Sequence, residues 1–336
     1  MLVSDHLLSS AGKSDLTHVI MHHVVDGVYY SDSLANVSEK SIPTDDGSDL
    51  RLVNSSLTGS GGWPGMTSDL KLENLITDTG VVHELSNVLI PRTVELNVGK
   101  LARAAKGSLM TSMMVKAGFD WVLNATAPPD GSPWAEMGLD GNGWTLLCPP
   151  DDAFKHVNTT ELLKDIEKLK EIVGQHLIPT PSSPSSISTK EEEDEDSSRP
   201  ISLQNDATYS TLLSPNNAYG DIVIRSSDTP GGPPVLGIKG ARGTSAHGDW
   251  ANVLSWGRAT TGGGVGGVVV IDRLLDPYHP PWLVEYGQPI GSGILGVLLI
   301  GAFFWGVRWV WNREVDATYE PLDQAEPEED QATWAD

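Results

Sequence analysis

The sequence predicts an α+β protein built on an internal repeat and followed by one membrane-spanning helix. Three observations carry that expectation. Two stretches echo each other in order, Met21-His22-His23-Val24-Val25-Asp26-Gly27 and then Gly80-Val81-Val82-His83-Glu84-Leu85-Ser86-Asn87-Val88-Leu89-Ile90-Pro91. The second part of the chain repeats them as Gly174-Gln175-His176-Leu177-Ile178-Pro179 and Gly267-Val268-Val269-Val270-Ile271-Asp272-Arg273-Leu274-Leu275-Asp276-Pro277. An echo of this size means duplicated domains. Early helical periodicity gives way to later strand-like runs, the mark of an α+β fold. Finally, Ile290 to Val307 are 18 residues without a charge.

The elements follow in order. Residues 1–92 read as a first domain that is incomplete at its N-terminal side. Leu7 to Val24 suit a helix running into a strand, with Leu16, Val19, Ile20 and His23 on one side. Leu50–Val53 and Leu70–Ile76 alternate as half-buried strands do, and Gly59–Gly65 is a loop. A second domain is expected over residues 93–282. Asn97–Lys106 and Ser108–Ala117 look helical, Ala127–Pro133 is an insertion loop, and Trp144–Cys148 is an apolar strand. Asp151 or Asp152 is placed to cap a helix. Glu161–Val173 is the clearest amphipathic helix, with Leu162, Ile166, Leu169 and Val173 on one face. Residues 180–200, rich in Ser and Pro with six adjacent acids, suit a disordered insertion, because such a composition builds no core. Strands resume at Ala207–Leu213, Asp221–Arg225, Val235–Ile238 and Val268–Leu274, and Asp276–Pro281 ends the domain.

These boxes resemble the fasciclin (FAS1) family, which implies a β-wedge with a helical cluster. The family's opening box, F-A-P-T-D-x-A-F, is matched by Leu147-Cys148-Pro149-Pro150-Asp151-Asp152-Ala153-Phe154, with Pro150 where Thr is usual. Its mid-domain Tyr-His pair is matched at His176 and His23, with Gln175 and His22 in the Tyr positions. Its closing strand is matched at Val269, Ile271, Asp272 and Pro277, and at Val82 and Pro91. The first copy has only the last two boxes. The resemblance implies that the mid-domain His belongs to a structural hydrogen-bonded pair. It also implies an adhesion or interaction module without enzymatic activity or cofactor, whose partner is a protein or glycan. Asp221-Ile222 and Gln175-His176 are loose counterparts of proposed integrin contacts in animal members, too degenerate to carry that partner over.

Net charge is −23, which repels phosphate backbones and argues against nucleic-acid partners. Cys148 is the single cysteine, so no intrachain disulfide forms; its apolar setting reads as a small buried hydrophobe. His18 and His22 stand at i, i+4, a spacing that suits zinc, but no H-E-x-x-H completes it. Gly262–Gly267 precedes a strand rather than opening a helix, which suits a turn and not a dinucleotide loop. No G-x-S-x-G occurs, and no catalytic or metal constellation is expected.

Extended through Arg308-Trp309-Val310-Trp311, the apolar stretch gives a transmembrane helix over 290–311. Trp305, Trp309 and Trp311 form an interfacial belt, and Arg308 and Arg313 put the tail in the cytosol by the positive-inside rule. Residues before the helix then face a lumen or the exterior, where sequons at Asn36, Asn54, Asn124 and Asn158 are glycosylation candidates. Met1–His6 lacks the features of a secretory signal, and with the half domain this leads us to expect further residues ahead of Met1. A signal-anchor role for the apolar helix is the competing reading. Ser292/Gly296 and Ala302/Gly306 are small-residue pairs able to pack two helices. The tail, 312–336, holds nine acids and one Arg, and its Tyr319-Glu320-Pro321-Leu322 resembles a sorting signal read by clathrin-adaptor-type machinery. The expectation is a type I glycoprotein of the vacuolar membrane or cell surface, similar to fungal members of the family. A trafficking or cargo receptor is the alternative.

Overall fold

The computed structural model describes residues 2–35, 37–59, 67–136, 143–180, 199–227, 231–241, 250–261, 266–280 and 282–314. Asn36, most of the Ser/Pro-acidic insertion, most of the Gly-rich turn, and Tyr319 and Leu322 lie outside them. The chain divides into two compact units, Met1–Tyr278 and His279–Asp336.

The first unit opens with α1 (Leu2–Ser9), α2 (Lys13–His22) and α3 (Ser31–Ala35). Five strands follow, β1 (Glu39–Pro43), β2 (Asp49–Val53), β3 (Ser56–Gly59), β4 (Thr67–Thr77) and β5 (Gly80–Leu85). They form an antiparallel sheet in chain order. The β2–β3 turn is Asn54-Ser55, with φ of 48° and 69°. Two successive positive φ values make the hairpin turn whose twist matches the strands, and Asn tolerates that conformation. Strand alternation delivers Ile42, Leu50, Leu52 and Leu57 to one face, where Leu34 and Leu89 complete a core.

The second lobe begins with α4 (Val98–Ala104), α5 (Ser108–Ala117), α6 (Asp120–Asn124) and α7 (Pro133–Glu136). Asn97 caps α4 by accepting from the Lys100 N–H, and Gly118 ends α5 in the left-handed conformation. Then come β6 (Gly143–Cys148), a 3-10 turn (Asp151–Phe154), α8 (Thr159–Leu162), α9 (Ile166–Gln175) and β7 (Leu177–Thr180). The strands β8 (Thr208–Tyr209), β9 (Ile222–Arg225), β10 (Val235–Ile238), β11 (Trp250–Arg258) and β12 (Gly266–Ile271) close the lobe. The sheet order is β7-β6-β12-β11-β10-β9-β8, with β6 and β12 parallel at its heart. Every residue of both strands is buried, because both faces of this pair are covered. Leu146, Cys148, Val268 and Val270 meet the helices, while Leu147, Val269 and Ile271 meet Ile222, Ile224, Leu236 and Val253.

The lobes share buried contacts. Leu2 of α1 packs in the helical core of the second lobe beside Leu101 and Val98. Leu7, Val19, Ile90, Val94 and Leu96 form a smaller core around the connector. There Thr260 Oγ1 accepts from the Leu96 N–H at 2.6 Å and donates to the Val94 carbonyl at 3.2 Å.

Several sequence expectations are corrected. The helix expected over 161–173 breaks into α8 and α9, because Asp165 turns its carboxylate onto the Lys168 N–H and starts a new helix. Ile166 consequently lies exposed, while Leu162, Leu169 and Val173 are buried. In α2, Val19 and His22 face inward and Ile20 outward. Of Ala207–Leu213 only Thr208–Tyr209 is strand, and a turn around Ser214 takes the rest. Asp151 caps no helix of its own; its Oδ1 accepts from the Leu109 N–H at 2.7 Å, at the start of α5. Strand β11 was not anticipated.

In the second unit, α10 (Trp282–Glu314) contains Ile290–Asn312, 23 residues of mean hydropathy 2.1 with none of that surface buried. By length and composition it is able to cross a membrane.

At Gly107, which precedes α5, an added Cβ would overlap Cys148 Sγ. Gly107→Ala is expected to destabilise the Met1–Tyr278 unit by about 1–3 kcal/mol in chemical denaturation. Adding Cys148→Ala should recover part of that loss, since the two side chains compete for one space.

Candidate functional site

The sequence boxes converge on one device, made twice. Helix α9 ends at His176, whose backbone sits in the C-cap position. Its Nδ1–H donates to the Ile172 carbonyl at 2.7 Å, and its Nε2 accepts from the Leu275 N–H at 3.1 Å. The imidazole thus joins an orphan carbonyl at a helix end to the backbone just beyond the closing strand. Each nitrogen is committed, one as donor and one as acceptor, so the ring is neutral by construction. Burial pushes its pKa down to about 4, against an opposing effect of the Ile172 carbonyl. The strand beside it is fixed too: the Leu147 N–H donates to the His176 carbonyl at 2.9 Å.

His23 repeats the arrangement at the end of α2. Its Nδ1–H donates to the Val19 carbonyl at 2.7 Å, and its Nε2 accepts from the Leu89 N–H at 3.2 Å. The closing strands carry a second shared device. Asp272 and Asn252 exchange hydrogen bonds, with the Asn252 N–H donating to Asp272 Oδ1 at 2.9 Å and the Asp272 N–H to the Asn252 carbonyl at 3.0 Å. In the first lobe the Asp69 N–H donates to Ser86 Oγ at 2.9 Å, and the Ser86 N–H to the Asp69 carbonyl at 3.0 Å. Ser86 thus stands where Asp272 does. Burial pulls the Asp272 carboxyl upward, but hydrogen bonds from Asn252 and Arg273 outweigh it and hold the pKa below the usual value.

The positions of the family's Tyr serve structure as well. Gln175 is buried and its Nε2 donates to the Gly220 carbonyl at 2.8 Å. His22 is buried with Nδ1 2.9 Å from Ser48 Oγ, and burial lowers its pKa, helped by His23 and opposed by Asp46. His18 Nδ1 lies 2.7 Å from Asp46 Oδ1, whose side chain is enclosed. The zinc reading of His18 and His22 therefore finds both Nδ1 atoms turned toward Asp46 and Ser48. Among the described residues no three His, Cys, Asp or Glu side chains are grouped to hold a metal.

The other predicted residues separate into buried and exposed. Pro149, Phe154, Val269, Ile271, Pro277 and Pro91 are buried, and Asp152 is exposed with a 3.0 Å ion pair to Lys155. Val82 is 51% exposed although it belongs to a closing strand. Ile222 of the Asp221-Ile222 pair is buried in the sheet core and His176 is buried at the end of α9, so neither offers a side chain to a partner. The Cys148 thiol is buried and pushed up to about 12 by burial and the nearby Asp151, which keeps it an inert thiol. Of the sequons, Asn54, Asn124 and Asn158 lie on exposed backbone turns or helix ends. Asn158 also caps α8, its Oδ1 accepting from the Glu161 N–H at 3.3 Å.

A cavity of about 440 Å³ opens between Asn158, Glu161, Asp165, Lys168 and Asp276. All five are exposed to solvent. Sequence reasoning missed the Ser86–Asp69 and Asp272–Asn252 clasps. Their signal was Ser86 and Asp272 each standing three residues before the leucine bonded by histidine.

The family model of the fasciclin domain matches residues 3–91 and again residues 108–225. No curated protein matches the chain at a significant level. Among solved structures, a FAS1 domain pair from the insect cell adhesion molecule fasciclin I is similar, at 15% identity, covering 81% of this chain and 84% of that one, with a TM-score of 0.33.

A neutral, buried His176 has a definite pH signature. The unfolded chain binds a proton near pH 6.5, while the folded one resists until about pH 4. Stability contributed by the neutral ring is therefore full above pH 6.5 and is lost as pH falls toward 4. Comparing the wild type with His176→Asn in equilibrium unfolding of Met1–Tyr278 should give a difference with a slope of about 1.4 kcal/mol per pH unit in that window. Above it the difference should be flat.

Proposed function

The chain belongs to the fasciclin-domain family, and from that premise we propose that it is a non-enzymatic type I membrane glycoprotein. Its fasciclin region faces a lumen or the cell exterior and binds a protein or glycan through its sheet surfaces. One observation carries the reading: two fasciclin matches are followed in the same chain by a 23-residue apolar helix, Ile290–Asn312. The arginines at 308 and 313 favour a cytosolic tail. Exposed sequons at Asn54, Asn124 and Asn158 suit a lumenal face. The non-enzymatic part is supported by the committed nitrogens of His176 and His23 and by the raised pKa of Cys148. Within this reading, residues 1–92 carry the mid-domain and closing boxes of one fasciclin domain, and 93–282 carry all three boxes of another.

A second reading is favoured by Tyr319-Glu-Pro-Leu322 in the acidic tail. It makes the chain a cargo receptor sorted to the endosomal-vacuolar system, its tail read as an extended peptide.

Imaging of the full-length chain with a tag near residue 190 separates the two. Plasma-membrane staining unchanged by Tyr319→Ala supports surface adhesion. A vacuolar rim that moves to the surface with Tyr319→Ala supports the sorting signal. In either case, glycosidase treatment should shift the wild type, and Asn54→Gln, Asn124→Gln and Asn158→Gln together should abolish most of that shift. An unshifted wild type would overturn the orientation.

A further inference from the structure

The cavity beside Asn158 has an apolar floor beneath its polar rim. Val157, Leu162, Ile172 and Leu274 line it; Leu162 and Ile172 are buried, and Val157 and Leu274 are half-buried. Its walls are fixed to the closing device of the second lobe. The Ile172 carbonyl accepts from His176, and Leu274 and Asp276 flank the Leu275 N–H that the same ring holds. Asn158 is the member of this wall that can carry a covalent group, since Asn158-Thr159-Thr160 is a sequon. Its side chain is held in place, Oδ1 accepting from the Glu161 N–H at 3.3 Å and Nδ2 donating to Glu161 Oε2 at 3.0 Å. That second bond uses one Nδ2 hydrogen and leaves the other for attachment. At about 440 Å³ the cavity falls within the range that holds a small ligand, about 300–1,000 Å³.

We propose that an N-linked sugar on Asn158 is seated in this cavity and covers the closing device of the second lobe. The transfer takes an oligosaccharide from a polyisoprenyl diphosphate donor. The bond from sugar C1 to Asn158 Nδ2 forms, the C1–O bond to the diphosphate breaks, and the proton lost from Nδ2 leaves with the released diphosphate. A sugar ring has a face of C–H groups and a rim of hydroxyls, which is the complement of this cavity. The C–H face covers Val157 and Leu274, while the hydroxyls donate to Glu161, Asp165 and Asp276 and accept from Lys168. Asp165 spends one oxygen on the Lys168 N–H, and its carboxylate has a second to offer. The covalent tether makes the contact intramolecular, so individually weak bonds suffice to hold the sugar. The inference rests on the lumenal orientation of the fasciclin region, and it deepens that reading by giving one sequon a sugar with a fixed place.

The test uses the full chain from a eukaryotic host, held in lipid nanodiscs, and peptide N-glycosidase. That enzyme cuts the C1–Nδ2 bond and leaves aspartate, which mass spectrometry reads site by site. On the folded protein, release at Asn158 should be about tenfold slower than at the exposed Asn54 and Asn124, because the enzyme acts on the unseated fraction. After denaturation the three should be released alike. Lys168→Ala with Asp276→Ala strips the rim and keeps the sequon, and should bring release at Asn158 to within about twofold of Asn54. Thr160→Ala removes the sequon and keeps the Asn158 cap; exchange of the Leu274–Asp276 amides should then be about threefold faster than in the glycosylated chain. Equal release rates on the folded protein overturn the proposal, as does slow release that survives the rim variant or leaves that exchange unaltered. A bare Asn158 in a chain glycosylated at Asn54 or Asn124 overturns it too. A chain without sugar at all three sites overturns the lumenal orientation as well, so the two failures are told apart.

Discussion

A neutral imidazole held between two backbone groups is what the second lobe is arranged around. His176 takes the last turn of α9, spends one nitrogen on the Ile172 carbonyl and the other on the Leu275 N–H. The helix end and the chain leaving β12 are thereby fixed to each other across 99 residues of sequence. Removing either partner from such a buried pair leaves a polar group unsatisfied, at a cost of about 1–3 kcal/mol for each. The neighbouring β6 joins the same point through Leu147 and the His176 carbonyl, so the opening box, the mid-domain pair and the closing strand meet at one residue. That explains why three boxes far apart in sequence look like one motif.

The first lobe shows what the device does with less around it. His23 and Ser86 reproduce the bonds of His176 and Asp272, and the small core of Leu34, Ile42, Leu50, Leu52, Leu57 and Leu89 closes beneath them. What differs is cover. Among the described residues no strand pairs with the second edge of β5, and His23 sees solvent. Meanwhile α1 buries Leu2 against α4 of the other lobe, so the N-terminal helix contributes to a core it does not belong to in the repeat. Local hydrogen-bond geometry is therefore preserved by the backbone bonds alone, whereas burial depends on the layers stacked over them.

Much of this was legible in the sequence, and the exceptions have physical causes. Ser108–Ala117 was read with its true ends because Gly118 takes a left-handed conformation that stops the helix. The apolar runs at 144–148 and 268–271 were visible because strands buried on both faces have no polar positions. Strand β11 was hidden by its own irregularity. The register shift between Val253 and Ser255 breaks the two-residue alternation and leaves Leu254 outside. Asp165 was hidden inside a pattern with good helical period, where a cap and a solvent-facing acid look alike. The reach of Asp151 to Leu109 was out of sight, because a contact between residues 42 apart has no local signature. Of the candidate site, the histidines were found by resemblance, while the Asp272–Asn252 clasp required the sheet register.

The most direct test of the shared device is a nitrogen-15 NMR measurement of the two histidine rings. With both rings bonded as described, Nε2 of His176 and of His23 accepts a backbone N–H. A coupling across the hydrogen bond should then link each to the amide nitrogen of Leu275 and of Leu89. Observation of both couplings, with Nδ1 carrying the proton, is the predicted result. A proton on Nε2 of either ring, or a Leu275 or Leu89 amide that shows no such coupling, would contradict the claim that the lobes are built on the same bond.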